Sequence, residues 1–140
     1  KEIKMTEMKD LYSGLGHIAV NTADIRLSLA FYEKLGGRLL MEDVLMKSEG
    51  PLKLALVDLG GVTIELLEPS VPFLPAEGSI PHFAILVKNL DEAAAAIRSA
   101  GVDTFRGSEK SVNTRLFGGL ENWFFTGPSG ELIELLQMYG

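Results

Sequence analysis

Residues 17–37, HIAVNTADIRLSLAFYEKLGG, align without a gap with residues 82–102, HFAILVKNLDEAAAAIRSAGV, at an offset of 65 positions. Each stretch opens with a histidine and an apolar run that is typical of a strand. Asp24 in the first stretch can cap a helix, and Asn89 stands at the matching position in the second. Both stretches reach a glycine where the helix would end, as is common after a last turn. The two stretches therefore predict the same strand and helix twice.

A second pair of matching segments lies downstream of the first. Residues 61–69 (GVTIELLEP) match residues 130–137 (GELIELLQ) at an offset of 69 positions, and both contain Ile-Glu-Leu-Leu. The alternative to a repeat is a chance likeness between two half-buried strands. Since only the connecting loops differ in length, we interpret the chain as an internal duplication of one structural unit.

The apolar pattern predicts the order βαβββ in each half, and hence an α+β fold with two tandem modules. Glycine-rich turns at residues 60–61 and 127–130 are expected to join the last strands of each module. In the first module we expect strands over residues 15–21, 38–46, 52–59 and 62–67 and a helix over residues 24–35. In the second module we expect strands over residues 80–87, 102–106, 122–126 and 132–138 and a helix over residues 91–100.

These elements divide the chain into four parts. Residues 1–13 are charged and aperiodic and are expected to form an N-terminal arm. Residues 14–68 form the first module and residues 80–140 the second. Residues 69–79 contain three prolines, which interrupt both strands and helices, so we expect a linker there.

The composition limits the classes of function. The chain has 140 residues, a net charge of −6 and no cysteine, so any metal would be held by nitrogen and oxygen ligands. The acidic balance argues against nucleic acid as a partner. No apolar run approaches the roughly 20 residues of a membrane span, and the first residues lack a signal-peptide core. We therefore expect a cytoplasmic protein that acts on a small molecule, with no membrane or nucleic-acid partner.

The repeated segments carry a matched set of two histidines and two glutamates. His17 and His82 are the only histidines in the chain and occupy equivalent positions, and Glu65 and Glu134 do so in the second pair of segments. Taken singly, such a histidine is usually exposed and such a glutamate usually points to solvent. As a matched foursome, the imidazoles and carboxylates predict a site for Zn²⁺, Ni²⁺, Co²⁺, Fe²⁺ or Mn²⁺. The neighbouring Glu68 and Glu131 are expected to face solvent.

At these residues the chain resembles the vicinal oxygen chelate superfamily, which contains glyoxalase I, methylmalonyl-CoA epimerase, extradiol dioxygenases and the fosfomycin and bleomycin resistance proteins. The resemblance covers residues 14–138, and its most specific segments are residues 16–37 and residues 124–137. It implies paired βαβββ modules that form a curved, incomplete barrel around a divalent metal, commonly in a homodimer. The metal site would then lie within one chain or across the dimer.

The ligand set most closely resembles that of glyoxalase I, whose ligand order His, Glu, His, Glu matches His17, Glu65, His82 and Glu134. The epimerase typically has glutamine in place of Glu65, and the dioxygenases and fosfomycin resistance proteins typically use two histidines and one glutamate. The resemblance thus implies a metal-dependent lyase or isomerase of the glyoxalase family. It would transfer a proton next to a carbonyl through a metal-bound enediolate, with Glu134 as the base and Glu65 in the same role on the opposite face. The alternatives are an epimerase-like enzyme, a fosfomycin-resistance-like enzyme and a non-catalytic, bleomycin-resistance-like binding protein.

Five side chains are candidates for contacts with the substrate: Asn21, Arg106, Lys110, Arg115 and Trp123. Bacterial glyoxalase I usually has a glutathione-contacting arginine where this chain has Asn21. The three basic residues could bind an anionic group of the substrate, since cations bind carboxylates well; the alternative is a solvated basic loop. Trp123 belongs to an aromatic run, residues 123–125, which would line the cavity or pack in the core.

Overall fold

The computed structural model describes residue 11, residues 15–71 and residues 82–140. Most of the predicted arm at residues 1–13 and the predicted linker beyond residue 71 lie outside this part of the chain. The described residues form two four-stranded sheets, each with one ten-residue helix. The first module comprises β1 (Ile18–Asn21), α1 (Ile25–Lys34), β2 (Arg38–Lys47), β3 (Gly50–Leu59) and β4 (Val62–Glu68). The second comprises β5 (Phe83–Leu86), α2 (Leu90–Ser99), β6 (Ser111–Asn113), a 3₁₀ turn (Leu116–Gly118), β7 (Leu120–Thr126) and β8 (Leu132–Met138).

The two sheets have the same topology. The strand order is β1-β4-β3-β2 in the first and β5-β8-β7-β6 in the second. In each sheet the first strand of the module pairs in parallel with the last, and the other pairs are antiparallel. The prediction of two βαβββ modules is confirmed. Within the described residues neither sheet closes into a barrel.

α1 begins at the predicted cap, Asp24, and α2 begins at the matching residue, Asn89. The Asp24 side chain accepts hydrogen bonds from the backbone N–H groups of Arg26 and Leu27, and Asn89 accepts one from Glu92. These bonds satisfy donors that the first turn of a helix leaves without a partner. The helix positions and the turns at residues 60–61 and 127–130 were therefore predicted correctly from local signals.

One predicted strand of the second module was wrong. Residues 102–106 do not form a strand; they contribute only an isolated bridge between Phe105 and Phe125. The fourth strand is β6, in which Ser111 lies opposite Asn122 of β7. The Phe105 ring stacks on Phe125 in the core, so its apolar character reflects packing rather than strand pairing. Residues 111–113 lack a clear apolar alternation, and their extended conformation comes from pairing with β7.

The prediction that Glu68 faces solvent was also wrong. Its Oε1 accepts a hydrogen bond of 2.7 Å from the backbone N–H of Ile25, and its Oε2 lies 3.4 Å from Lys53 Nζ. The repeat conserves this arrangement, because Gln137 Oε1 accepts a 2.7 Å bond from the backbone N–H of Leu90. In each module the last strand thus supplies an acceptor to the positive N-terminal end of the helix.

One continuous hydrophobic core joins the two modules. Each sheet has a helix face, against which its own helix packs, and an open face on the other side; the strand residues of the core alternate with those of the open face. The strand residues of the core are Val20, Ala55, Val57, Leu59, Ile64, Leu66, Phe83, Trp123, Phe125, Ile133 and Leu135. The modules therefore share their helix faces, and the two open faces lie on the sides of the sheets remote from the shared core.

A partly buried hydrogen bond crosses between the modules. The hydroxyl of Tyr32 in α1 donates to Glu131 Oε2 at 2.8 Å, and the backbone N–H of Ser129 donates to Glu131 Oε1 at the same distance. Tyr32 is fully buried. The prediction that Glu131 faces solvent was wrong, because its carboxylate connects the first module to the turn before β8.

Candidate metal centre

The first candidate half-site lies on the open face of the first sheet. Glu65 is in β4, opposite Ala19 of the parallel strand β1. His17 precedes Ala19 by two residues, so the period-two alternation of an extended chain puts its ring on the same face. Its Nε2 lies 3.2 Å from Glu65 Oε1. The small Ala19 side chain leaves room for the imidazole to approach the carboxylate.

The second half-site repeats this arrangement on the open face of the second sheet. Glu134 in β8 lies opposite Ala84 of β5, and His82 Nε2 is 3.3 Å from Glu134 Oε1. Two further side chains complete the surroundings. The His82 ring makes an edge-to-face contact with Phe124, and Asn122 Nδ2 donates to Glu134 Oε2 at 2.8 Å.

The spacing of each pair suits two ligands of one cation. Ligand atoms bound at about 2.1 Å to a divalent ion are separated by about 3.0 Å at an octahedral angle and about 3.4 Å at a tetrahedral angle. The observed 3.2 and 3.3 Å fall between these values. Both separations exceed the usual N–H···O length of about 2.9–3.0 Å. Two imidazole nitrogens and two carboxylate oxygens also form a donor set that suits the borderline divalent ions.

The chain does not bring the two half-sites together. Across residues 15–71 and 82–140, no group of three or more histidine, aspartate or glutamate side chains has the arrangement of a metal site. The reason is the packing of the modules. Because the modules share their helix faces, each His–Glu pair lies on an open face that points away from the shared core.

Three of the predicted substrate-contacting residues are exposed. Asn21 ends β1, two residues after Ala19, and so lies on the open face that carries Glu65. Arg106 follows Phe105, which faces the core, and its backbone N–H donates to the carbonyl of Phe124. Arg115 lies in the turn before the 3₁₀ segment.

Lys110, in contrast, is held by carboxylates beside α2. Its Nζ lies 2.8 Å from Glu121 Oε1 and 2.9 Å from Asp91 Oδ1. Glu121 is buried, and its Oε2 also accepts a 2.6 Å bond from the Tyr139 hydroxyl. The hydrogen bonds to Glu121 and Asp91 raise the pKa of Lys110 to about 12. The ammonium group is therefore part of a structural cluster with Glu121, Asp91 and Tyr139.

Trp123 occupies the core, which was one of its two predicted positions. Its Nε1 donates to the backbone carbonyl of Arg106 at 2.8 Å, and the Arg98 guanidinium lies 4.3 Å from its ring centroid. The aromatic side chain on the open face is its neighbour Phe124. Phe124 belongs to the run of residues 123–125 that was predicted to line the cavity or pack in the core, and period-two alternation from a buried Trp123 indicates its position beside His82.

The structure also has an exposed apolar surface that was not predicted from the sequence. Every residue of the edge strand β2 is exposed. Met41 and Leu45, which lie opposite Leu56 and Leu52 of β3 on the open face, are 61% and 52% exposed. The unbroken apolar run of residues 39–41 could have indicated a strand that is covered on both sides.

A family model that describes the Glyoxalase/Bleomycin resistance protein/Dioxygenase superfamily matches residues 14–135. The chain belongs to this superfamily. Among its relatives, the uncharacterized protein YwbC of Bacillus subtilis (strain 168) is 30% identical over 126 residues, which cover 88% of this chain and 96% of YwbC.

Two solved structures have a fold similar to that of this chain. A glyoxalase family protein from Enterococcus faecalis has a TM-score of 0.68 and 25% identity, with 90% of this chain and 98% of that chain covered. The fosfomycin resistance protein FosX from Listeria monocytogenes has a TM-score of 0.67 and 22% identity, with 89% of this chain and 92% of that chain covered. At this identity the likeness to FosX shows the fold alone. In the part of the chain that the structure describes, α1 and α2 are each ten residues long, which is too short to cross a bilayer.

Proposed function

We propose that this superfamily member is a homodimeric, metal-dependent lyase or isomerase of the glyoxalase I type. Each of its two sites is built from His17 and Glu65 of one protomer and from the partner subunit's His82 and Glu134. The observation that carries the proposal is the equivalence of the two His–Glu pairs, each at the spacing of two ligands of one ion. A second copy of the chain brings the second pair to the first, which the packing of one chain does not do.

The open faces support a dimer with this geometry. Met41, Leu45 and Leu86 are exposed by half or more of their surface, and all three lie on open faces by their strand register. Burial of such side chains contributes roughly 25 cal/mol per Å² of apolar area. When the first module's open face meets the partner's second module, the apolar residues are covered and the four ligands enclose a common cavity.

The chemistry of the proposed site is proton transfer at a carbon next to a carbonyl. A divalent ion held by these ligands would polarise the substrate oxygens and so acidify that carbon. Glu134 and Glu65 belong to different modules and would face the carbon from opposite sides, so one could accept the proton and either could return it. Asn21 and the apolar side chains of the open faces line the cavity, and Arg106 and Arg115 are the candidates for binding an anionic group.

Mixing two inactive variants tests whether the site is shared between chains. His17→Ala and His82→Ala each remove one ligand from both sites of a homodimer. In a mixed dimer, one site loses both histidines and the other keeps both. With random pairing, about a quarter of the sites are intact, so about a quarter of the parental activity and metal content should return. Each variant alone and a His17→Ala/His82→Ala double variant serve as controls. Absence of recovery despite confirmed subunit exchange would contradict the shared site.

Metal content and substrate preference test the reaction class. The protein as purified, and after loading with Ni²⁺ or Zn²⁺, should hold one divalent ion per chain. Activity is expected toward the hemithioacetal of methylglyoxal, with methylmalonyl-CoA and fosfomycin as the comparison substrates. Preference for either comparison substrate would reassign the enzyme within the superfamily. Failure to bind any divalent ion would identify a non-catalytic binding protein instead.

A further inference from the structure

The two half-sites differ in one contact, although their topology is the same. Asn122 Nδ2 donates a 2.8 Å hydrogen bond to Glu134 Oε2, while Glu134 Oε1 faces His82 at 3.3 Å. The two oxygens of the Glu134 carboxylate therefore have different surroundings. One oxygen points to the imidazole, and an amide from the neighbouring strand holds the other.

The first module has no amide at the equivalent place. Asn122 lies on β7 opposite Leu136, two residues along β8 from Glu134. In the first module, Leu67 lies two residues along β4 from Glu65, and its partner on β3 is Leu54. Leu54 is therefore the equivalent of Asn122. An isobutyl group thus stands where the second module has a hydrogen-bond donor. The side chain of Glu65 is also more exposed than that of Glu134, at 22% against 13%.

We infer that Asn122 is a positioning residue that pre-organises Glu134 as a ligand of the divalent cation, so that the second module supplies the stronger half of each site. This inference rests on the proposed function. The amide acts through the carboxylate: it fixes the plane of the carboxylate and leaves Oε1 directed toward the position of the ion. Glu65 has to be ordered when the ion binds and so contributes less affinity.

Hydrogen-bond partners of this kind have measurable effects on metal affinity. Removal of a partner that orients a ligand typically costs 10–100-fold in affinity or activity. The replacement of Asn122 by leucine reproduces the situation in the first module and keeps the number and branching of the side-chain non-hydrogen atoms. We therefore expect Asn122→Leu to weaken Ni²⁺ binding by about 10–100-fold.

The test measures the dissociation constant of Ni²⁺ by calorimetric titration of the metal-free, full-length protein. Thr126→Val is the matched control, because Thr126 lies on the same strand two residues beyond Phe124 and so on the same face. It should bind Ni²⁺ within about twofold of the parent, and both variants should share the melting temperature of the metal-free parent. The expected result is a weaker dissociation constant in Asn122→Leu alone.

Glu134→Gln separates failure of this inference from failure of the proposed function. If Glu134→Gln loses Ni²⁺ binding while Asn122→Leu binds as the parent does, the metal site stands and the positioning role of Asn122 is refuted. If Asn122→Leu and Thr126→Val weaken binding equally, the effect is one of general packing and the inference is likewise refuted. If Glu134→Gln binds Ni²⁺ as tightly as the parent, the proposed metal site is wrong and the inference falls with it.

Discussion

Replacement of Tyr32 by phenylalanine should weaken the connection between the two modules. The substitution keeps the buried ring and removes only the hydroxyl, which donates to Glu131 Oε2 at 2.8 Å. A hydrogen bond to a charged group contributes roughly 1.5–3 kcal/mol to the free energy of unfolding. For a chain of this length, at about 4 °C per kcal/mol, the melting temperature should fall by about 6–12 °C. Calorimetry of the metal-free protein at fixed concentration measures this change.

The chain offers a matched control for the same chemical change. The hydroxyl of Tyr139 also donates to a carboxylate, Glu121 Oε2 at 2.6 Å, but Tyr139 is exposed and both partners belong to the second module. Tyr139→Phe should therefore cost much less than Tyr32→Phe. Equal losses in the two variants would refute the role assigned to the bond between the modules.

A glycine beside Glu131 provides a second route to the same contact. A Cβ atom at Gly127 would overlap the Glu131 carboxylate. Gly127→Ala should displace that carboxylate from Tyr32, and the double variant Gly127→Ala/Tyr32→Phe should lose less than the sum of the two single losses. Full additivity would mean that Gly127→Ala acts elsewhere.

The contact also predicts a dependence on pH. Burial, followed by the charge and hydrogen bond of Glu131, raises the pKa of Tyr32. The unfolded tyrosine ionises near its usual value of about 10 while the folded one keeps its proton, so its contribution to stability is complete below pH 10 and declines above it. The parent should lose up to about 1.4 kcal/mol per pH unit more than Tyr32→Phe in this range. Urea unfolding between pH 8 and about pH 11 measures the difference.

Four other predictions concern the site, the helix caps and the dimer. Lys110→Ala should lower the melting temperature and leave KM unchanged, whereas Arg106→Ala should raise KM and leave the melting temperature unchanged. Calorimetry measures the melting temperature of each variant, and steady-state kinetics measures its KM. Glu68→Ala removes the acceptor at the start of α1 and should cost about 0.5–2 kcal/mol in urea unfolding, and an unchanged midpoint would exclude a capping role. Leu45→Asp introduces a charge on the open face and should yield monomers in light scattering, where a persistent dimer would place the interface elsewhere. Chelation with EDTA should lower the melting temperature and increase the monomer fraction at low protein concentration, because a metal that binds only the folded dimer stabilises it.

Local signals in the sequence were sufficient for most of the secondary structure. Asp24 and Asn89 mark both helix starts, and the turns at residues 60–61 and 127–130 mark the hairpins. Each of these signals spans only a few residues, because the hydrogen bonds of a helix cap or a tight turn join residues that are close together in the sequence. The strand β6 lacked such a signal, since its conformation depends on a partner strand.

The presence of two equivalent units, each with a histidine and a glutamate, follows from the amino-acid order alone, because a repeat and a period-two pattern can be recognised along the chain. Which faces the units share depends on the fold of the whole chain. It separates His17 and Glu65 from His82 and Glu134 within the chain, and it places Lys110 and Glu68 among partners distant in sequence. Packing of the helix faces joins residues that are far apart in the sequence. It depends on how the buried apolar surfaces fit together, which no local sequence pattern encodes.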